Sequence, residues 1–395
     1  MTSMKKKILF LLPGFNFGGT VFSTLNMISF LRNSYDITVL PMTYQGPVIN
    51  DYKDAGIKLY PESIIISSFM GKTKKETKWY RRAAFIFFKA VRKLSSSLGI
   101  NFEQRIYQKN AKSIELKEHF DFVASCQEGG ATYFASCFER SKRLAWFRSE
   151  YSVYRTEYSP KVLDKDQELY PLFDNIICVS KTTREDFVAY FPDIRDKVVA
   201  VHNIQNVDKI VAKSNENVDD FPESPFVIVS VGRINPQKRF SNIPSIARKM
   251  LDAGCTFKWI ILGDGNVFNE FDKLQSEIVS NKVENIVICL GSKLNPYPYI
   301  KKAQLLVNTS YVEACPRVVI EAKLLKTPVV CADFSSAREF VTSGYDGFVD
   351  TIDNIHEPII NMIKDNTMYA NIKEVCNSYT IDNDRIFEHL KYLFS

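Results

Sequence analysis

The run QLLVNTSYVEACPRVVIEAKLLKTPVVCAD, residues 304–333, reads as strand, loop, helix and strand. Its two flanking segments are near-continuous apolar runs, as expected of parallel strands covered on both faces. Pro316 suits the first helical turn, where its missing N–H would be unpaired anyway, so a helix is expected over 317–326. Glu313 then lies in the loop just past the strand's carboxyl end, and Glu321 lies in the second helical turn. At about 100° per residue the two carboxylates stand about 80° apart, so they form no simple stripe. Taken alone, Glu321 reads equally well as the i,i+4 partner of Arg317 on a helix surface.

The same alternation extends in both directions. FVIVSVGR, KWIILGD and IVICLG precede the quoted run as further buried strands, with a helix at 240–253 among them. KILFLLPG, DITVLPM, FDFVASCQ, RLAWFRS, NIICVS and VVAVHN make up the first half, mostly separated by helical patterns. The fold class is therefore α/β, with two doubly wound Rossmann-like domains. The boundaries expected are 1–205 for the N-terminal domain, 206–222 for a polar linker and 223–378 for the C-terminal domain. A terminal helix at 379–395 is expected to pack back toward the N-terminal domain. Ligands of such sheets bind outside the carboxyl ends of the strands, so a cleft between two such domains is the natural site.

With 395 residues, 45% hydrophobic and 24% charged, the chain has the composition of a globular protein. No apolar run reaches the length of a membrane span. The opening MKKKILFLLPGFNFGG breaks at Pro13-Gly14 and is not followed by a small-residue cleavage site, so it reads as a first strand and not as a signal peptide. The eight cysteines are dispersed without C-x-x-C spacing, which points to reduced, mostly buried thiols in a cytoplasmic protein. The four histidines offer no metal-ligand spacing. Residues 1–210 carry 31 Lys/Arg against 22 Asp/Glu, and residues 211–395 carry 20 against 23. The excess of positive charge in the first half points to an anionic partner there.

Three loops carry candidate chemistry. SVGRINPQKRF places Arg233 after a strand and Lys238 just before a helix. Together they can neutralise a diphosphate without a metal, although a basic turn of this kind is also an ordinary surface feature. The helix beginning near residue 317 opens toward the strand ends, and its free N–H groups suit a phosphate. PGFNFGGTVFS has glycines at 14, 18 and 19 and so lacks the G-x-G-x-x-G dinucleotide fingerprint. Gly18 and Gly19 would still let backbone approach a phosphate or sugar closely. Two D-x-D matches, Asp164-Lys165-Asp166 and Asp382-Asn383-Asp384, do not directly follow a buried strand and are expected to be solvated or helix-capping carboxylates.

Taken together, the chain resembles the GT-B-fold retaining glycosyltransferases, family 4 of that class, over nearly its whole length. The resemblance rests on FGGT in the first loop, VSKTTRED at 179–186, VHNIQNVD at 201–208 and VGRINPQKRF. It continues through LGDGN at 262–266, LGSKLNPYPYIKKAQLLVNTS, EACPRVVIEA and REFVTSGYDGFV at 338–349. It implies that Arg233 and Lys238 bind the donor diphosphate, that Glu313 contacts donor-sugar hydroxyls and that Glu321 holds the ribose. Backbone N–H groups of Cys315, Arg317 and Val318 would hold phosphate or sugar oxygens, and Gly19 would let the first loop close over the diphosphate. Two departures stand out. Ala314 follows Glu313 where the family often has glycine, and Arg148 stands where the family often places a histidine that touches the donor sugar.

The resemblance implies transfer, with retention, from a nucleotide-sugar donor, UDP-linked, to a lipid-linked or oligosaccharide acceptor in bacterial cell-surface polysaccharide synthesis. The N-terminal domain would face the acceptor, and neither a metal nor a resident cofactor is expected. Other functions for the same scaffold are a sugar-nucleotide epimerase and a non-enzymatic two-lobed sugar-binding protein. Residues 72–94, KTKKETKWYRRAAFIFFKAVRKL, hold nine Lys/Arg against one Glu. On a helical wheel Trp79, Ala83, Ile86, Phe87, Ala90, Val91 and Leu94 form an apolar arc, and Phe85 projects within the basic one. This is either a solvated surface helix or an interfacial helix that meets anionic lipid. The second alternative places the protein peripherally at the inner face of the cell membrane. No binding-module signature accompanies the charge, so nucleic acid is not expected as a partner.

Overall fold

The structure is a computed structural model that describes residues 5–16, 18–63, 65–67, 79, 82–83, 86–87, 90, 102–157 and 160–395. The chain divides into two compact units, Met1–Gln205 with Asn383–Ser395, and Asn206–Asp382.

The first unit is built on a seven-stranded parallel sheet of order β3-β2-β1-β4-β5-β6-β7. Its strands are β1 (Lys7–Leu12), β2 (Asp36–Pro41), β3 (Lys58–Leu59), β4 (Phe122–Ser125), β5 (Lys142–Phe147), β6 (Asn175–Cys178) and β7 (Val198–Ala200). Ile8 pairs with Ile37 on one side and with Phe122 on the other, so β1 is central and its residues 8–12 are fully buried. That is why KILFLL reads as an unbroken apolar run. The helix Asn383–Leu393 brings Phe394 into this unit, against the rings of Phe10, Phe122 and Trp146. Asn383 Nδ2 donates to Gln205 O at 2.7 Å, and Gln205 N donates to Asn383 Oδ1 at 3.1 Å.

The second unit repeats the plan with six parallel strands in the order β10-β9-β8-β11-β12-β13. These are β8 (Val227–Val231), β9 (Lys258–Leu262), β10 (Val287–Gly291), β11 (Leu305–Asn308), β12 (Val329–Ala332) and β13 (Gly347–Asp350). Two apolar layers cover the sheet. One is built around Trp259, Phe257 and Met250, the other around Ile260, Val319 and Phe334. In each sheet the strand order reverses once, between β1 and β4 in the first and between β8 and β11 in the second. Such reversals open a crevice at the carboxyl ends of the two central strands.

Three sequence expectations change. Residues 206–222 are not a bare linker: they carry the helix Val207–Lys213, and Ile210 buries against the second unit's core with Val218 and Phe221 beside it. Polar or charged residues at ten of these seventeen positions hid the apolar spacing. The helix after Glu313 spans Arg317–Leu324, and Pro316 is its cap and not its first residue. Asp166 is neither solvated nor capping. It is fully buried in the helix Pro160–Leu169, where Tyr133 Oη donates to its Oδ1 at 2.9 Å. Asp164 beside it and Asp384 in the other match are exposed.

In the basic segment 72–94 the described positions, Trp79, Arg82, Ala83, Ile86, Phe87 and Ala90, are helical and exposed. The rest of that segment, Phe85 included, lies outside the described residues. Among the described residues no helix is long and apolar enough to cross a membrane.

Candidate active site

The second unit's candidate residues sit on the two loops that leave β8 and β11, on either side of the sheet's reversal. The β8 loop starts at Gly232, whose N–H donates to Leu262 O at 3.0 Å, and Ile234 N–H donates to Asp264 O at 2.9 Å. The loop is thus fastened to the exit of β9. A Cβ at Gly263 would stand 1.9 Å from Gly232 O, so glycine is required there for the two backbones to approach. Asn235 then caps a short 3-10 turn, Pro236–Lys238, by accepting from Lys238 N at 3.1 Å. Lys238 folds its stem back over Gly232, where an added Cβ would meet Cε at 3.1 Å.

This route brings Lys238 Nζ onto Glu313 Oε1, and both side chains are largely withdrawn from solvent. Ser310 Oγ donates to the same carboxylate oxygen at 2.8 Å. Lys238 and Glu313, 75 residues apart in the chain, form one ion pair at the switch point. Arg233, on the same loop, is exposed, and its stem lies beside Gly265, where an added Cβ would meet Cγ at 3.3 Å. Cys315, Arg317 and Val318 are half-buried at the start of the helix Arg317–Leu324.

Glu321 is buried and not on a helix surface. Arg317 Nη2 donates to it at 2.9 Å and Tyr297 Oη lies 3.4 Å away. Burial pushes its carboxyl pKa up, and the Arg317 guanidinium opposes that shift. The i,i+4 pair expected from the sequence is present, in a desolvated setting.

In the first unit, Arg148 follows β5 directly and its guanidinium is held from three segments. Nε donates to Cys126 O at 2.6 Å, and Nη1 donates to Ser23 Oγ at 2.9 Å and to Asn203 Oδ1 at 2.8 Å. Its backbone N–H donates to Glu128 Oε2 at 3.0 Å. Arg148 therefore joins the exits of β4, β5 and β7 to the helix Gly19–Leu31 that follows β1. Gly19 is that helix's first residue, and Gly18 before it is extended with open space where a Cβ would be.

Sequence reasoning missed Ser310, Thr309 and Arg239 in the second unit and Glu128, Ser23 and Asn203 in the first. Arg239, Ser310 and Asn203 lie inside motifs singled out above. Arg239 finds its acceptors 70 and 71 residues away and Asn203 meets Arg148 55 residues away, so no local pattern reports those contacts, whereas Ser310 Oγ reaches Glu313 only three residues on. Among the described residues no group of three His, Cys, Asp or Glu side chains is arranged to hold a metal ion.

Comparison with known proteins covers the second unit and the fold as a whole. Residues 211–376 match the family model described as Glycosyl transferases group 1. An uncharacterized glycosyltransferase of Methanocaldococcus jannaschii is 29% identical over 200 residues, which are 49% of this chain and 48% of that protein. An N-acetylgalactosamine-N,N'-diacetylbacillosaminyl-diphospho-undecaprenol 4-alpha-N-acetylgalactosaminyltransferase of Campylobacter jejuni is 29% identical over 236 residues, 57% of this chain and 61% of that protein. The chain thus spans between about half and three-fifths of the length of these two relatives. Anabaena HepE, solved in complex with UDP and glucose, superposes with a TM-score of 0.70 at 16% identity, covering 98% of this chain and 99% of that one. The fold is therefore the GT-B one, and the unit that holds Arg233, Lys238, Glu313 and Glu321 carries the region matched by the glycosyl transferases group 1 family.

Proposed function

We propose that this protein is a metal-independent retaining glycosyltransferase of family 4, which moves a sugar from a UDP-linked donor to a lipid-linked or growing glycan. The observation that carries this reading is the Lys238–Glu313 pair at the switch point of the matched domain. In the free protein each charge neutralises the other. The donor diphosphate takes over Lys238 and meets Arg233 in the same loop, while Glu313 turns its oxygens to hydroxyls of the donor sugar. Glu321, kept in place by Arg317 and Tyr297, holds the ribose.

As the sugar–phosphate bond breaks, positive charge develops at the anomeric carbon and negative charge on the leaving phosphate. Lys238, Arg233 and the N–H groups of residues 315–318 stabilise the second of these. The acceptor hydroxyl bonds to the anomeric carbon from the face the phosphate leaves, and its proton passes to a phosphate oxygen. This preserves the anomeric configuration. The first unit takes the acceptor. The name of the Campylobacter relative describes a polyprenyl-diphosphate-linked acceptor for that protein, which supports an acceptor of that kind here. Residues 72–94 hold the enzyme to anionic lipid at the inner face of the membrane through their basic charge and Phe85.

The test is a thermal-shift panel of UDP-, GDP- and ADP-sugars, followed by transfer in excess chelator with the acceptor in vesicles of rising anionic-lipid fraction. Stabilisation by UDP-sugars, chelator-resistant transfer with a retained anomer and a rate that rises with anionic lipid are expected. Product formed from the nucleotide sugar without any acceptor would indicate an epimerase, and chelator-abolished transfer restored by magnesium would overturn metal independence.

A further inference from the structure

β8 and β11 are paired in register, Leu305 with Ile228 and Leu306 with Val229, but the loops that carry Lys238 and Glu313 run on beyond that ladder. Beyond it they are joined by a hydrogen-bond circuit centred on one side chain. Arg239 Nε donates to Thr309 O at 2.9 Å and Nη2 donates to Ser310 O at 2.8 Å. Thr309 Oγ1 returns a bond to Lys238 O at 2.7 Å. Ser310 Oγ donates to Glu313 Oε1, which also takes Lys238 Nζ. A second rung lies alongside, with Tyr311 N–H on Gln237 O at 3.0 Å and Gln237 Nε2 on Val312 O at 2.8 Å.

Arg239 has φ +51° and ψ +35°, the left-handed region that favours glycine. Phe268, Asn269, Lys282 and Lys326 share this positive φ, so it is the two carbonyl bonds of its side chain that set Arg239 apart. Its planar fork spans two successive carbonyls, which a single ammonium cannot do.

We infer that Arg239 is the positioning residue of the donor site: by clamping the β11 loop onto the β8 loop, it sets Lys238 and Glu313 where a nucleoside diphosphate and its sugar can engage them. This inference rests on the donor reading above. Arg239 itself acts through Lys238, Ser310 and Glu313, with no contact to the reacting atoms.

The experiment is calorimetric titration with UDP, GDP and ADP of wild type, Arg239→Gly, Arg239→Lys and Thr309→Val, with melting curves for each. Glycine relieves the left-handed strain while removing the clamp. Arg239→Gly is therefore expected to melt within about 3 °C of wild type yet to bind UDP about tenfold or more weakly, since small misplacements of a binding group are costly. Arg239→Lys is expected not to restore binding, and Thr309→Val, which cuts the circuit at Lys238 O, is expected to weaken it in the same direction. If Arg239→Gly does not fold, Thr309→Val carries the test. Variants that bind UDP as wild type does would overturn the inference and leave the donor reading intact. So would full rescue by lysine, or affinity loss that simply tracks a lowered melting temperature. Wild-type protein that binds none of the three nucleotides would instead overturn the donor reading.

Discussion

The two sheets reverse direction in the same way, yet their switch points hold charge differently. In the second unit Lys238 and Glu313 meet as an ion pair, which on the proposed reading the donor diphosphate exchanges into. In the first, Arg148 gives its guanidinium protons to the neutral oxygens of Cys126, Ser23 and Asn203, each from a different segment. The Lys238 ammonium has one charged partner in a largely desolvated setting, where a diphosphate that meets it can replace the carboxylate. A cation bonded to several fixed acceptors is costly to remove and poorly placed to let go. The same topology thus presents charge at one switch point and consumes it as a fastening at the other.

The largest effect expected from this difference is catalytic and confined to the second unit. On the proposed donor reading, Lys238→Ala and Glu313→Ala should each lower transfer by about 10²-fold or more, with unchanged circular dichroism, because each would remove a charged contact to the reacting ligand. Steady-state kinetics measure this, and near-normal rates in both variants would break the comparison at its active end.

Next in size is a stability effect confined to the first unit. Arg148→Ala strands acceptors from three segments and should cost about 2–4 kcal/mol, given about 1.5–3 kcal/mol for a charge-assisted bond and losses that are not additive. Urea unfolding followed by tryptophan fluorescence would read it. Lys238→Ala should move the same midpoint less, because Glu313 alone loses a partner and keeps the bond from Ser310 Oγ. Equal shifts in the two variants would erase the distinction.

The smallest expected effect appears in the pH dependence of the first unit. Burial pushes the Asp166 carboxyl up to about 6, against the hydrogen bonds from Tyr133 and Tyr151. An unfolded aspartate titrates near about 3.9, so between about pH 4 and pH 6 the folded state keeps a proton that the unfolded state has lost. Stability from this group is therefore fully present below that window and lost as pH rises through it. Asp166→Asn keeps an acceptor for Tyr133 and removes the titration. The fall in unfolding free energy from pH 4 to pH 7.5 should shrink by at most about 3 kcal/mol in the variant. Identical pH profiles would show that Asp166 is already ionised in the fold.

The strands and the carboxyl-end position of Glu313, Arg233 and Lys238 were legible because a doubly covered strand must be apolar throughout. The residues after such a strand are then free to be polar. Two short strands escaped: β3 has only two residues, and β13 follows the turn Gly344–Asp346 with alternating burial. Asp166 was misread because the D-x-D match was judged as a unit by its position away from a strand end. The spacing of Leu163, Asp166, Leu169 and Tyr170 would have placed it on the buried face of its helix. The helix Val207–Lys213 was hidden by surrounding charge, although Ile210 anchors it. The Arg239 clamp was beyond sequence reasoning, since both its acceptors are backbone carbonyls some 70 residues away, and carbonyls have no letter in a sequence.

Phe394 lies fully buried among Phe10, Phe122 and Trp146, so the first unit's core is finished by residues that follow the whole second unit in the chain. Closing that nest across an unfolded stretch from Asn206 to Asp382 would carry a loop-closure penalty that grows with the logarithm of its length. Asn383 on Gln205 sets the two ends of that stretch side by side, so a second unit that has already folded removes most of this penalty. During synthesis the unit that leaves the ribosome first is therefore the one completed last, and until then Phe10, Phe122 and Trp146 lack the ring of Phe394.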